Sequence, residues 1–565
     1  MKATGSGQAH WLPASVPPVA AGTPEFDAAV VALDESLLLV QTSSGIAVAR
    51  GGTTQFESAD NGAKSGAKSG AQSGSGSASS GFPVAAFAPA VPPEQLGDAS
   101  FKRDHGLRYN YVAGAMANGI ASTALVEEMA RGGMLGFFGA AGLSLTRVEA
   151  AIDQLSSSLN GIPFGFNLIH SPNEPALEAA VADLYLRRGI RLVEASAYLR
   201  LTLPLVRYRV TGIARDAAGR VVTPNRVVAK VSRVEVATQF FSPPPAEFLA
   251  ALVESGDISP EQAALAATIP VAQDVTAEAD SGGHTDNRPL VTLLPTLLAL
   301  RDRMQEKFNY TGPLRVGAAG GLSTPTSLAA AFSMGAAYVL TGSVNQACVE
   351  SGSSDTVRKM LAQVEQADIA MAPAADMFEM GVRVQVLKRG TMFPMRAAKL
   401  YELYRAHPAL ENLAEADCNF VEKQILRATL DQAWRSTRAF FLERDPAQVE
   451  RAERDPKHQM ALVFRSYLGL SSRWANAGDP ERVMDYQVWC GPAMGAFNEW
   501  TRGSFLEQPQ HRRAVVVAQN LLYGAALQLR RQFLAAQGIQ LPSGGLETGL
   551  GRPLTRDALK ILLNP

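Results

Sequence analysis

The sequence predicts an α/β fold, a (β/α)8 barrel that carries a small N-terminal β module and a C-terminal helical domain. Three observations point there. From about Lys102 to Val344, short β-like runs alternate with longer helix-like stretches, the pattern of a parallel sheet covered by helices. The runs number eight, the count that a closed barrel needs. The glycine-rich strand ends fall on the last two runs, and no GxGxxG follows the first, which argues against a doubly wound open sheet.

In chain order the strands are NYVAGAM, MLGFFG, IPFGFNLI, IRLVEAS, RVVAKVS, IPVAQDV, LRVGAAG and AAYVLTG, within a barrel domain of residues 100–396. Two insertions are expected beyond strand ends. LVRYRVTGIARDAAGRVV reads as a hairpin with a polar turn at Asp216 to Gly219. Residues 243–268 read as two short helices, the second opened by the start signal Ser259-Pro260-Glu261. Ahead of the barrel, residues 1–50 hold the runs AAVVAL, SLLLVQ and SGIAVARGG, which suggest a few strands. Residues 51–81 include the near-repeat AKSGAKSGAQSG; their Gly, Ser, Ala and Lys content buries too little surface to order itself and predicts a flexible linker. Residues 397–565 are rich in Leu, Arg, Glu and Ala and read as the helical domain.

The 565 residues exceed one ordinary core, and with 47% hydrophobic against 19% charged residues they are globular in composition. A formal net charge of -1, without a basic segment, sets nucleic acid aside as a partner. Cys348, Cys418 and Cys490 lie far apart with no histidine at ligand spacing, so neither a disulfide framework nor a metal site is expected. No run approaches the roughly 18 apolar residues of a membrane span, and MKATGSGQAHWLPAS lacks the apolar core of a signal peptide. The expectation is a cytoplasmic protein without a membrane partner; a homodimer stays open.

The residues that carry chemistry cluster at strand ends. LRVGAAGGLST and AAYVLTGSVNQ end the last two strands, where bare backbone N–H groups and a helix start can meet a phosphate. Gly320, Gly321, Gly342 and Ser343 are the candidate phosphate binders; the competing reading is that these glycines only make tight turns. SGGHTDNRP places His284 after Gly282 and Gly283, two residues that give the imidazole little steric cover. A lone loop histidine is otherwise a surface residue. Lys230 in VVAKVS is a cation at a strand end, and its structural alternative is a partly buried lysine paired with Glu235 or Asp274.

The ordered set GAMANGIAS, FGFNLIH, ADSGGH, GAAGGLST and TGSVNQA resembles the nitronate monooxygenase-like flavoproteins. Within that superfamily, NLIHSPNEP, RYRVTG, NRVVAKVSR, SGGHTDNRP and VNQACVESGSS are similar to the PfaD-type trans-acting enoyl reductases of polyketide and polyunsaturated fatty acid synthases. The resemblance covers about residues 100 to 410. It implies an FMN-binding barrel in which Ala115 and Met116 touch the flavin through backbone groups, Asn167 bonds the ring or ribityl chain, and Lys230 faces the N1/O2 side. It further implies NADPH, with NADH as the alternative donor, and an enoyl thioester on acyl carrier protein as substrate, with His284 as catalytic residue. The acidic residue that many superfamily members place directly before the glycine-histidine motif is here Asp280, followed by Ser281. Two competing functions remain: a nitronate monooxygenase-type flavin oxidase, and a non-catalytic docking subunit of a megasynthase.

Overall fold

The computed structural model describes residues 9–56, 81–170, 175–283, 285–541 and 552–563. The chain divides into two compact units, one of residues 97–518 and one that joins residues 1–96 to residues 519–565.

The larger unit is built on a closed barrel of eight parallel strands. They are β1 (Tyr111–Ala113), β2 (Leu135–Phe138), β3 (Gly165–Ile169), β4 (Leu192–Ser196), β5 (Arg226–Val231), β6 (Asp274–Glu278), β7 (Arg315–Ala319) and β8 (Val339–Thr341). Neighbours in sequence pair in order, and β8 closes onto β1 with Val339 opposite Tyr111. These strands read as nearly unbroken apolar runs because helices cover them outside and side chains fill them inside.

A short helix, Ala99–His105, plugs the amino-terminal end. Asp98 caps it, and its Phe101 ring stacks on Tyr338 at 4.1 Å between centroids. At the same end Arg315 Nε donates to Asp274 Oδ1 at 2.6 Å, and His105 Nε2 lies 2.8 Å from Asp274 Oδ2. Burial raises the pKa of the Asp274 carboxyl, but Arg315 and His105 outweigh that and pull it down to about 2. Lys230 is therefore not its partner.

Two sequence expectations shift in register or type, and the second insertion keeps its expected form. The sixth strand is DVTAE; the apolar run before it is buried, with Val271 and Ala272 N–H groups bonded to the carbonyls of Ser242 and Phe240 beyond the preceding helix, outside the sheet. The first half of the expected hairpin is a helix, Leu203–Val210, started by Thr202 accepting from Leu205 N and by Pro204 in its first turn. Only Ala214–Arg215 and Val221–Val222 pair, closed by the Asp216 carboxylate accepting from Ala218 N and Arg220 N. The second insertion forms helices Ala246–Glu254 and Pro260–Ala266, the latter with a Ser259/Gln262 capping box.

Past the barrel, the strands Ile369–Pro373 and Arg383–Leu387 form an antiparallel ribbon. Helices Phe393–Ala406, Leu430–Arg444 and Pro456–Ala477 surround a core that includes Phe378, Phe393, Leu400, Phe464 and Tyr467.

In the smaller unit, six antiparallel strands form one sheet, in the order Val19–Ala20, Gly45–Ala49, Leu37–Thr42, Phe82–Ala88, Ala9–Leu12 and Thr53–Phe56. AAVVAL is not one of them: it belongs to helix Pro24–Val31, started by Thr23 accepting from Phe26 N and by Pro24. Thr53–Phe56 forms a strand inside the expected linker, while residues 57–80 of that linker lie outside the described residues. The expected helical domain is divided between the units, because Arg530 of helix Ala514–Ala535 belongs with the N-terminal sheet. Its buried guanidinium donates to the carbonyls of Val30 (3.1 Å), Ala32 (2.7 Å), Leu33 (3.4 Å), Pro89 (3.4 Å) and Glu35. Among the described residues no helix is long and apolar enough to cross a membrane.

Candidate active site

A cavity of about 550 Å³ lies over the carboxyl ends of the barrel strands. Strand register explains its floor. Asn167 in β3 stands opposite Glu194 in β4, and Asn167 Nδ2 donates to the Glu194 carbonyl at 3.1 Å and to Ser196 Oγ at 2.7 Å. Glu194 is fully buried; its Oε2 accepts from Ala115 N at 3.0 Å, which fixes the turn after β1, while its Oε1 has no hydrogen-bond partner.

Lys230 reaches in from β5. Its Nζ is 3.0 Å from Glu278 Oε1, at the end of β6, and 3.8 Å from Glu194 Oε2. Burial lowers the lysine pKa, but the two carboxylates outweigh it and hold the ammonium above its usual value. Burial pushes Glu194 up to about 7, against the pull of Lys230. One buried ammonium thus serves two buried carboxylates, and the alternatives Glu235 and Asp274 are not its partners.

Gly320 ends β7 at φ +88°, and a Cβ there would sit 2.7 Å from the Ala279 carbonyl carbon; backbone meets backbone at this point. Gly321, at φ +74°, and Gly342 have nothing within 4 Å of an added Cβ. Both line the cavity, so their bare backbones face its open space. Ser343 Oγ accepts from Gly491 N at 3.5 Å, and Gly282 passes the backbone of Cys490, 3.0 Å from its own would-be Cβ. Asp280 Oδ1 accepts from Gln385 Nε2 at 2.5 Å, and burial raises its pKa.

The structure brings Ala115, Met116, Asn167, Lys230, Gly282, Gly283, Gly320, Gly321, Gly342 and Ser343 to this one cavity. His284 lies outside the described residues. Sequence reasoning missed Glu194 and Glu278, although VEAS and TAEAD each place a carboxylate in or beside an apolar strand run, a signal of a paired buried charge. It also missed the wall that the helical region contributes, including Phe440, Phe441, Arg444, Arg465, Arg473 and Trp489. No local motif marks those residues; tertiary packing alone carries them to the barrel mouth.

A closed eight-stranded barrel with a glycine-edged cavity at its carboxyl face, floored by a buried lysine and two carboxylates, has the layout of a (β/α)8-barrel enzyme. Residues 103–430 match the family described as "Nitronate monooxygenase", and residues 407–486 match "[Acyl-carrier-protein] S-malonyltransferase, inserted helical domain". The chain is 50% identical over 416 residues to a polyunsaturated fatty acid synthase polypeptide of Thraustochytrium sp., covering 73% of this chain and 28% of that protein. It is 44% identical over 440 residues to polyketide biosynthesis protein PksE of Bacillus subtilis, covering 78% and 57%. The crystal structure of the enoyl reductase domain of MlnA, from the macrolactin cluster of Bacillus amyloliquefaciens, superposes with a TM-score of 0.75 at 39% identity, covering 79% of this chain and 100% of that domain. The chain belongs to the nitronate monooxygenase family and, within it, groups with the PfaD-like proteins of polyketide and polyunsaturated fatty acid synthases. It spans between 22% and 57% of the length of the curated relatives it matches.

Proposed function

We propose that this chain is an FMN-dependent, NADPH-using enoyl reductase acting in trans on enoyl thioesters carried by acyl carrier protein. The observation that carries the reading is the convergence of the glycine edge and the Glu194–Lys230–Glu278 cluster on one cavity. The enoyl reductase domain of MlnA, matched over its whole length, supports it.

The donor set fits a flavin mononucleotide. Gly320, Gly321, Gly342 and Ser343 would hold the phosphate at an open backbone face, Asn167 and the turn Ala115–Met116 would meet the ring system, and Lys230 would supply the cation. Bound there, the flavin supplies two-electron transfer from the nicotinamide to the α,β double bond. The overall balance is enoyl thioester plus NADPH plus a proton, giving the saturated thioester and NADP⁺.

The chain's own residues do the rest. Lys230 offsets negative charge beside the ring, and the low-dielectric floor strengthens that interaction. The walls exclude water and hold the reactants in attack geometry. The imidazole of His284 is the candidate donor of the α-carbon proton or the group that positions nicotinamide; Gly282 and Gly283, which precede it, line the cavity. His284→Ala is expected to bind FMN normally and to lose about 10²-fold or more in turnover, the scale for a positioned acid or donor. Stopped-flow half-reactions assign the role: slow reduction by NADPH means nicotinamide positioning, slow reoxidation by enoyl thioester means protonation, and wild-type rates in both remove His284 from the site.

Nitronate oxidation is the competing reading, favoured by the description of the matched family. Anaerobic NADPH oxidation coupled to enoyl thioester reduction separates the two, since an oxidase requires oxygen.

A further inference from the structure

Helix Pro456–Ala477 carries a glycine in its interior, Gly469, that neither backbone conformation nor packing accounts for. Its φ is helical, so no left-handed turn requires it. Glycine is the poorest helix former after proline, because its backbone has the most freedom to lose. Close packing is one reason to keep it, as at Gly495 in helix Ala493–Thr501, where an added Cβ would stand 2.3 Å from Gln366 N. At Gly469 nothing lies within 4 Å of an added Cβ. The residue lines the cavity, so the space it leaves open belongs to the cavity.

Two helices make this part of the wall. Ser436 and Phe440 of helix Leu430–Arg444, and Ser466, Gly469 and Ser472 of helix Pro456–Ala477, recur three or four residues apart, so each helix turns one face to the cavity. Apolar surface runs along it from the rim inward. Phe440 and Leu470 are 39% and 38% exposed, while Phe441 and Leu468, in the same lining, are buried. Thr437, also in the lining, is 3% exposed, and its hydroxyl has no hydrogen-bond partner among the described residues. An oxygen of a bound molecule would give that hydroxyl a partner.

We propose that the acyl chain of the thioester substrate lies along this wall, and that Gly469 sets the width of the passage and thereby the chain lengths that the protein accepts. The proposal rests on the enoyl reductase reading for the identity of the thioester. An extended alkyl chain is the part of such a substrate that gains from apolar surface and asks for no hydrogen bond. It needs clearance along its whole length, and a side chain in place of Gly469 would project into that clearance. The thioester or amide oxygens of the carrier arm match the free hydroxyl of Thr437. A nicotinamide dinucleotide, polar over most of its surface, would gain little from the apolar wall.

Calorimetry with octanoyl-pantetheine and butyryl-pantetheine tests the passage without depending on turnover. Each further methylene is worth up to about fourfold in affinity when fully buried, so the parent protein is expected to bind the octanoyl compound at least about tenfold tighter. Gly469→Leu is expected to bind the two alike, with NADPH affinity as in the parent. Gly469→Ala is expected to raise Tm, since its methyl has room and alanine is the better helix former, and to lose part of the preference. That variant covers the case of a poorly folded Gly469→Leu protein. Equal affinity of the parent for both compounds, or none for either, would overturn the proposal. So would a Gly469→Leu protein that keeps the octanoyl preference but loses NADPH affinity, or a Gly469→Ala protein with a lowered Tm. Reduction of a crotonyl N-acetylcysteamine thioester by the parent protein reports on the enoyl reductase reading by itself: with that activity present and the chain-length preference absent, only the proposal for Gly469 fails.

Discussion

The Lys230 ammonium between Glu194 and Glu278 sets the charge state of the cavity floor. Glu194 titrates at about 7 when folded against a reference of 4.5, so the folded protein takes up this proton more readily than the unfolded chain. Its contribution to stability is full below 4.5 and is lost as pH rises through about 7. The size at stake is on the order of 3 kcal/mol for this fully buried group. Glu194→Gln removes this titration, so urea denaturation between about pH 5 and 8 should show a flatter stability profile for the variant than for the parent. Parallel profiles would mean that Glu194 is not the group titrating there. Flavin-free protein is the sample for this comparison, because a bound anion beside Lys230 would shift the same equilibrium.

At the scale of elements, the glycines after β7 separate two kinds of constraint. Gly320 has no room: even Ala would press on the Ala279 carbonyl carbon, so Gly320→Ala disturbs the junction of β6 and β7. Gly321 has room but a left-handed backbone, which costs a side chain about 1 kcal/mol. Gly321→Glu should therefore fold, with parent-like circular dichroism, yet carry its carboxylate into the open face where the phosphate would bind. Loss of copurifying FMN is the expected outcome. Stoichiometric FMN in that variant would place the phosphate elsewhere. These strand ends were legible in sequence because a glycine pair directly after a β-like run marks a tight turn or a close approach of bare backbone. The start of β6 was not, since IPVAQ is as apolar as a strand and its partners, the carbonyls of Phe240 and Ser242, are distant in sequence.

For the molecule as a whole, the smaller unit depends on a side chain about five hundred residues from its acceptors: Arg530 satisfies carbonyls from Val30 to Glu35 and that of Pro89. Arg530→Met fills similar volume but leaves those buried acceptors unpaired, at about 1–3 kcal/mol for a group that finds no water. Limited proteolysis or hydrogen exchange should then show residues 9–56 and 81–96 opening first, while residues 97–518 keep parent-like protection. Unchanged protection across residues 9–56 would show that the sheet holds without this arginine.

The sequence by itself determined the barrel, its eight strands in order and the glycine edge, because hydrophobic periodicity and turn chemistry are local properties written in consecutive residues. It also set the cation Lys230 at a strand end, while Asn167 came from the family resemblance that the same strand-end motifs carry. Tertiary structure decided the rest. Glu194 and Glu278 become partners of Lys230 only through parallel register, Arg444 and Arg473 reach the cavity only through helix packing, and Arg530 joins the N-terminal sheet from the far end of the chain. Each of these is a pairing between residues far apart in sequence, and no local pattern encodes which distant group a buried charge will meet.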